Sequence, residues 1–138
     1  MLTIANSLLE LIRAHALDAY PNECNGLIVG DYQSRTAAKV YPVKNVHTET
    51  TRTRYQIDPK QHLQIERQAR AAGQEVIAVY HSHPDAPAKP SAHDREHAWP
   101  SYAYIIVSVV HGRADRLQAW TLREDGTAFE EEQLRVIE

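Results

Sequence analysis

Residues 75–83, EVIAVYHSH, constrain the fold more than any other part of this sequence. The segment is almost wholly apolar before its histidines, which predicts a strand buried inside a sheet. Pro84 follows directly and cannot continue a hydrogen-bonded ladder, so we expect the strand to end there. Residues two apart in a strand point to the same face, so His81 and His83 project together while Ser82 projects away. Their Cα atoms lie about 7 Å apart in such a strand, which lets both imidazoles converge on one metal ion.

The rest of the sequence predicts alternating helices and strands. Residues 7–20 have an apolar stripe at helical spacing, and Ser7 and Glu10 are spaced as a capping box. A second helix is expected between Asp58, a typical helix cap, and Gly73, a typical residue just past a helix end. A short helix is predicted at 91–99, and further strands are predicted at 23–32, 37–46, 101–110, 115–125 and 129–138.

Three local features refine this pattern. Pro42 interrupts the strand at 37–46, which indicates a bulge or an edge position. Residues 48–54, TETTRTR, have no apolar face and predict a loop or a mobile hairpin tip. The pair Asp125-Gly126 predicts a hairpin between the last two strands. The order of elements predicts one domain of mixed α/β or α+β layers over residues 1–138.

Length and charge exclude several classes of protein. A chain of 138 residues suits one domain, and at that size folding buries roughly two-thirds of the unfolded surface. The net charge of −3 and the pI near 6.2 argue against a nucleic-acid or membrane-surface binder. Cys24 is the only cysteine, so the fold has no internal disulfide and a reducing compartment is compatible. Residues 1–21 carry charges within their apolar pattern, unlike a signal peptide, and no segment is long enough to span a bilayer, so we expect a cytoplasmic protein.

The proline-rich loop after the buried strand leads to a further metal-binding side chain, Asp94. Two neutral imidazoles and one carboxylate leave one corner of a tetrahedral zinc ion open, which is typical of catalytic sites. The alternative is that His81 and His83 are ordinary strand residues and Asp94 is a helix cap. The combination of all three around one strand end favours a site for one zinc ion.

The pattern H-x-H, seven residues, Ser, two residues, Asp is present at His81, His83, Ser91 and Asp94. It resembles the signature of the JAMM (MPN+, or JAB1/Mov34) zinc metallopeptidases, which also have a glutamate far upstream, after the first helix. Glu23, in YPNECNGLIVG, stands in that place. The likeness covers most of the chain. It implies a JAMM/MPN fold related to that of the cytidine deaminases, with a central mixed β-sheet flanked by helices.

The resemblance also implies a role for each matching residue. His81, His83 and Asp94 would hold the zinc ion, and Glu23 would take a proton from water and pass it to the leaving amine. Ser91 would donate a hydrogen bond to the oxyanion. The alternative for Ser91 is an N-cap of the helix that carries Asp94, and the alternative for Glu23 is an exposed residue at the start of a strand.

The family hydrolyses peptide or isopeptide bonds after the C-terminal glycines of ubiquitin-like proteins. Small stand-alone bacterial members are similar to enzymes that process ubiquitin-like sulfur carriers, so the expected partner is such a carrier or its C-terminal conjugate. The same analogy implies a homodimer. Residues 48–55 are the candidate flap over the carrier's tail, with Arg52, Arg54 and Tyr55 as substrate-binding residues, and a solvated loop is the alternative.

Parts of the sequence also match other functions. Residues 93–97, HDREH, match the inverted zinc-peptidase motif H-x-x-E-H, with Glu96 as base and a third ligand elsewhere. On a helix Asp94 is rotated about 100° from His93, so the two schemes do not readily share one zinc, and we expect His93 and His97 to flank the site or to be exposed. A nucleobase deaminase needs a P-C-x-x-C half-site, which a chain with one cysteine lacks. A non-catalytic scaffold and a general small zinc peptidase remain as alternatives.

Overall fold

The computed structural model describes residues 1–138 and contains one eight-stranded mixed sheet with three helices. In chain order the elements are β1 (Leu2–Ala5), α1 (Asn6–Ala19), β2 (Asn25–Asp31), β3 (Thr36–Val43), α2 (Pro59–Ala71), β4 (Glu75–Pro84), α3 (Ala92–Glu96), β5 (Ala103–Val110), β6 (Arg113–Leu122), β7 (Phe129–Glu132) and β8 (Leu134–Ile137). The strand order is β7-β6-β5-β4-β2-β3-β1-β8. β4 pairs in parallel with β5, and β1 pairs in parallel with β3 and β8, while the other pairs are antiparallel.

β4 is an interior strand, between β2 and β5, and all its residues from Val76 to His83 are buried. At the end of the strand, His81 pairs with Asn25 of β2 and with Ile106 of β5. Parallel neighbours cannot be joined by a hairpin, so the chain crosses over from β4 to β5 through residues 85–102, which include α3. The predicted buried strand is confirmed, and the second half of the sequence signature lies on its crossover.

The two longer helices pack against opposite faces of the sheet. α1 buries its apolar stripe in a core cluster that also contains Tyr80 of β4. α2 packs against a second cluster that contains Val79. Because successive strand residues alternate between faces, His81 and His83 follow Val79 onto the α2 face. A mixed sheet with helices on both faces confirms the predicted fold class.

The sheet curves until its two ends meet. β7 and β8 are separated only by Gln133, yet they lie at opposite ends of the strand order. The Gln133 carbonyl accepts a hydrogen bond from the Leu2 amide (2.9 Å), and the carboxylate of Glu132 pairs with Arg35 (2.6 Å) and the N-terminal ammonium (3.3 Å). The prediction of one strand over 129–138 is therefore wrong, because the chain changes partner from β6 to β1 at Gln133.

The N-terminal prediction needs a second correction. β1 precedes α1 and was not predicted, and the helix begins at Asn6 without a side-chain cap on Ala5. The capping box predicted at Ser7 and Glu10 is wrong, because β1 runs directly into the helix and Ser7 lies inside its first turn.

Other local predictions are confirmed. Asp58 caps α2 by accepting a hydrogen bond from the Lys60 amide (3.0 Å), and Gly73 follows the helix with a φ of +74°. β3 pairs with β1 only at Thr36, so Pro42 lies where β3 has a single neighbour, as expected of an edge. None of the three helices combines the length and the apolar character that crossing a bilayer requires.

Candidate active site

His81, His83 and Asp94 form a triangle of donor atoms at the end of β4. The Nε2 atoms of His81 and His83 lie 3.1 Å apart, and Asp94 Oδ2 lies 3.3 Å from the first and 3.1 Å from the second. All three side chains are buried. The structure therefore brings together the three residues that the sequence selected as metal ligands.

The loop between β4 and α3 orients the ring of His83. His83 Nδ1 donates a hydrogen bond to the Pro87 carbonyl (2.8 Å), which turns Nε2 into the triangle. The carbonyls on either side of Pro87 are fixed to the sheet, that of Ala86 by the Ser108 hydroxyl and that of Ala88 by Trp120 Nε1 (3.0 Å). This loop is thus a rigid support for one ligand, in agreement with its two prolines, Pro87 and Pro90.

Asp94 is positioned by a capping box at the start of α3. The Ser91 hydroxyl accepts a hydrogen bond from the Asp94 amide (3.1 Å), and the Ser91 amide donates one to Asp94 Oδ2 (2.9 Å). The predicted short helix is confirmed in the narrower range Ala92–Glu96. The N-cap role weighed for Ser91 is also present, and it leaves the hydroxyl hydrogen free to donate elsewhere.

Glu23 lies just before β2 and completes the site. Its side chain is buried, its Oε1 atom has no hydrogen-bond partner, and one carboxylate oxygen lies within 4.8 Å of ligand nitrogens of His81 and His83. Burial raises the pKa of Glu23 to about 8, although the charge of His83 lowers it. An unpartnered buried carboxylate is costly, which is typical of a functional group rather than a structural one.

Asn45 fixes the backbone next to Glu23 and was missed at the sequence level. Asn45 Nδ2 donates to the carbonyls of Glu23 (2.9 Å) and Arg54 (3.1 Å), while its Oδ1 accepts from the Gln56 amide (3.1 Å). The Glu23 amide donates to the carbonyl of Thr51 (2.6 Å). The 48–55 loop is therefore anchored to the segment that carries Glu23. No local pattern marks Asn45, because its partners come from distant parts of the chain.

The pKa values of the three side chains in the triangle shift in different directions. Burial lowers the pKa of His81. Burial opposes the charged form of His83 as well, but hydrogen bonds to Asp94 and Pro87 outweigh it and raise the pKa. For Asp94 the hydrogen bonds from both imidazoles outweigh burial and hold the pKa well below its ordinary range. Asp94 is thus an anion beside two imidazoles.

The donor set fits a zinc ion. In a tetrahedral site with zinc–nitrogen bonds of about 2.0–2.1 Å, two ligand atoms lie about 3.3 Å apart. The three observed separations are 3.1, 3.1 and 3.3 Å. The orphaned Glu23 Oε1 also indicates that a group absent from the protein itself belongs beside the triangle.

The three residues predicted to contact substrate differ in their placement. The ring of Tyr55 stacks on His81 with a centroid distance of 4.2 Å and an angle of 18°. Arg52 and Arg54 are exposed, and Arg54 lies 3.9 Å from Glu49. Tyr55 thus touches a proposed metal ligand, and substrate contact remains a prediction for all three residues.

Of the HDREH residues, Asp94 belongs to the triangle, whereas His93, Glu96 and His97 lie outside it. His93 is half-buried, whereas Glu96 and His97 are exposed. His93 and His97 line a cavity of about 360 Å³ next to Asp94, which is also lined by Tyr55, Trp99, Tyr102 and Tyr104. These two histidines flank the site, as expected.

Comparisons with known proteins agree with this geometry. The sequence model of one protein family, the prokaryotic homologs of the JAB domain, matches residues 5–123 of this chain. The desampylase of Haloferax volcanii is 39% identical over 104 residues, which cover 75% of this chain and 74% of that protein. The CysO-cysteine peptidase of Mycobacterium tuberculosis is 30% identical over 139 residues, which cover 100% of this chain and 92% of that protein.

The fold has a counterpart among solved structures. A JAB1/MPN domain protein of Archaeoglobus fulgidus matches 99% of this chain and 100% of its own, with a TM-score of 0.66 and 21% sequence identity, which supports the fold. The match to the family model spans most of the sequence. It includes the three proposed ligands, the proposed base and the proposed oxyanion donor, which are His81, His83, Asp94, Glu23 and Ser91. This chain belongs to the prokaryotic homologs of the JAB domain.

Proposed function

We propose that this chain is a zinc-dependent peptidase that hydrolyses the bond after the C-terminal Gly-Gly of a ubiquitin-like protein, specifically a sulfur carrier. The observation that carries the proposal is the buried triangle of His81, His83 and Asp94 beside the unpartnered carboxylate of Glu23. These three ligands would hold one zinc ion. Bound zinc supplies a Lewis acid for a carbonyl oxygen and makes water nucleophilic near neutral pH.

Glu23 is the proposed general base. Burial raises its pKa to about 8 in the protein without metal, and a bound zinc ion would favour the carboxylate form that a general base requires. Because Oε1 has no partner in the protein, it is free to accept a proton from the attacking water. The same oxygen would then deliver that proton to the leaving nitrogen, which returns the carboxylate to its starting state.

Ser91 is the proposed donor to the developing oxyanion. Its hydroxyl oxygen accepts from the Asp94 amide, so its hydrogen is available for a substrate carbonyl oxygen. A donor already fixed by a helix cap requires little reorganisation during the reaction, which is the basis of oxyanion stabilisation. Ser91 would thus combine a structural and a catalytic role.

The relatives support a ubiquitin-like carrier as substrate. One is named a desampylase and the other a CysO-cysteine peptidase, and the resemblance to the JAMM family implies ubiquitin-like carriers as substrates. A glycine-rich tail suits a buried site because a backbone without side chains approaches closely without clashes. We propose that the tail lies extended beneath the 48–55 loop, with Tyr55 at the zinc ligands and Arg52 and Arg54 toward the carrier.

Cleavage of a carrier fusion tests the substrate. We expect a cut immediately after Gly-Gly and little activity when the second glycine becomes valine, because a branched side chain would clash near the site. Mass spectrometry of the products locates the cut. Equal rates on unstructured peptides without glycine would favour a general peptidase instead.

Metal analysis separates an enzyme from a non-catalytic scaffold. We expect about one zinc per chain, lost when His81 and His83 are both changed to alanine and weakened by Asp94→Ala. Full zinc content in the double variant would refute the proposed ligands. A homodimer and a cytoplasmic location also remain proposals, checked by light scattering and by cell fractionation.

A further inference from the structure

A second group of metal-binding side chains lies on α3, outside the buried triangle. His93 and Glu96 lie in α3 and His97 is its C-cap, and their spacing of i, i+3 and i+4 places the three side chains on one side. Their ligand atoms all lie within 4.8 Å of one another. Asp94 lies between them in sequence, but its carboxylate points to His81 and His83 instead.

The donors of this second group are available. His97 Nδ1 donates to the backbone carbonyl of His93 (2.9 Å), which leaves the Nε2 lone pair free. Glu96 is exposed and lies beside two imidazoles. Its carboxylate forms no ion pair, so its oxygens are available to a metal ion. The two rings face each other with a centroid distance of 4.1 Å and a tilt of 34°. Small side-chain rotations would let both rings and the carboxylate meet one ion.

A neighbouring histidine is excluded from this group. The ring of His47 lies 6.1 Å from that of His93. Its Nδ1, however, accepts from the amides of Glu49 (3.3 Å) and Thr50 (3.2 Å). In the neutral ring Nε2 then carries the hydrogen and cannot ligate a metal. The set is therefore two imidazoles and one carboxylate, the ligand types that zinc and nickel accept.

The second group lies where it can affect the entry of substrate into the cavity next to Asp94. The rings of His93 and His97 line the cavity of about 360 Å³ that adjoins Asp94. An ion held by both rings and Glu96 would fix them at the rim of that cavity. Substrate groups that enter the cavity would then meet a narrower and positively charged entrance.

We propose that His93, Glu96 and His97 form a second transition-metal site, weaker than the buried one and inhibitory when zinc occupies it. It is weaker because exposed side chains must lose rotamer freedom and move together before they bind. The inhibition, unlike the binding, rests on the proposed peptidase function.

Calorimetric titration tests the binding. Zinc added to protein that already holds one equivalent should give a second, weaker binding step, and His97→Ala should abolish that step. The variant with His81→Ala and His83→Ala should show the reverse, losing the tight step and keeping the weak one. The imidazole nitrogen resonances of His93 and His97 should shift during the weak step only. A single step in the natural protein, or a weak step that survives His97→Ala, overturns the site.

Glu96→Gln tests the inhibition, because Glu96 does not line the cavity. Excess zinc should slow cleavage of the carrier fusion several-fold in the natural protein and in the control Glu124→Gln, which removes an exposed carboxylate elsewhere. Excess zinc should have little effect on the cleavage rate of the Glu96→Gln variant. Equal inhibition of both variants overturns the inhibitory role. A protein that binds the second ion but cleaves at no zinc concentration would instead refute the proposed function.

Discussion

Replacing Glu23 by glutamine should abolish turnover and yet stabilise the metal-free protein. Burial holds the folded-state pKa of Glu23 at about 8, whereas the ordinary value is 4.5. Between these values the unfolded chain has released the proton that the folded chain retains, so the free energy of unfolding falls as pH rises. Below 4.5 both states are protonated and the effect is absent, and above 8 it levels off.

The magnitude follows from the same shift. Each pKa unit corresponds to about 1.4 kcal/mol. Near pH 7 the free energy of unfolding of the metal-free wild-type protein should therefore be about 3 kcal/mol lower than with a neutral side chain at this position. Glutamine is neutral at every pH and has nearly the same shape. For a chain of this size we expect a rise in Tm of roughly 10 °C near neutral pH for the glutamine variant.

Thermal unfolding after chelation is the assay. The Tm difference between Glu23→Gln and wild type should be small at pH 4.5 and grow toward pH 8, while Glu124→Gln, an exposed control, should show no such trend. With zinc bound, the difference should shrink, because a nearby cation favours the carboxylate. A Tm difference that does not change with pH, or a less stable glutamine variant near pH 7, would refute the reasoning.

Three further predictions follow from the described contacts. Gly26→Ala should destabilise the fold by about 1–3 kcal/mol in denaturant titrations, because a Cβ there would overlap the ring of Tyr80 in the core. Ser91→Ala should retain zinc in metal analysis and lower kcat by about 10²-fold, through the missing oxyanion donor; unchanged kcat would remove Ser91 from the mechanism. Changing Arg52 and Arg54 together to alanine should raise KM for the carrier more than it lowers kcat, since both are exposed and would contact the carrier rather than the reacting bond. A similar rise in KM when an arginine pair on α2 is changed to alanine would mean that the effect comes from overall charge and not from contact with the carrier.

The site was predictable from sequence to the extent that its geometry is local. His81 and His83 share a face because a strand has a two-residue period, and Ser91 meets Asp94 because a capping box spans three residues. Glu23 required a resemblance to known proteins, since nothing in its neighbourhood indicates that a crossover will bring Asp94 beside it.

What the sequence did not predict depends on distant partners. The contacts of Asn45 join the backbone of Glu23 to the end of the polar loop at Arg54, and the support of Ala88 by Trp120 joins residues far apart in the chain. The break at Gln133 has the same origin. Its neighbours have a continuous strand pattern, and only the meeting of the two sheet ends divides them. Periodicity describes one segment at a time and does not report where a curved sheet closes.

The pairing of β1 with β8 has a consequence for biogenesis. Leu2 is in register with Leu134, so β1, which precedes the other described strands, acquires this neighbour only after residue 134 has been made. Contacts of such high sequence separation form late and slowly, because the chain entropy lost in closing the loop is not recovered until the strands pair. Until then the outer edge of β1 is an unpaired strand edge, which is prone to join another chain. Nascent chains stalled before residue 134 should therefore depend on chaperones more than chains that include β8 do.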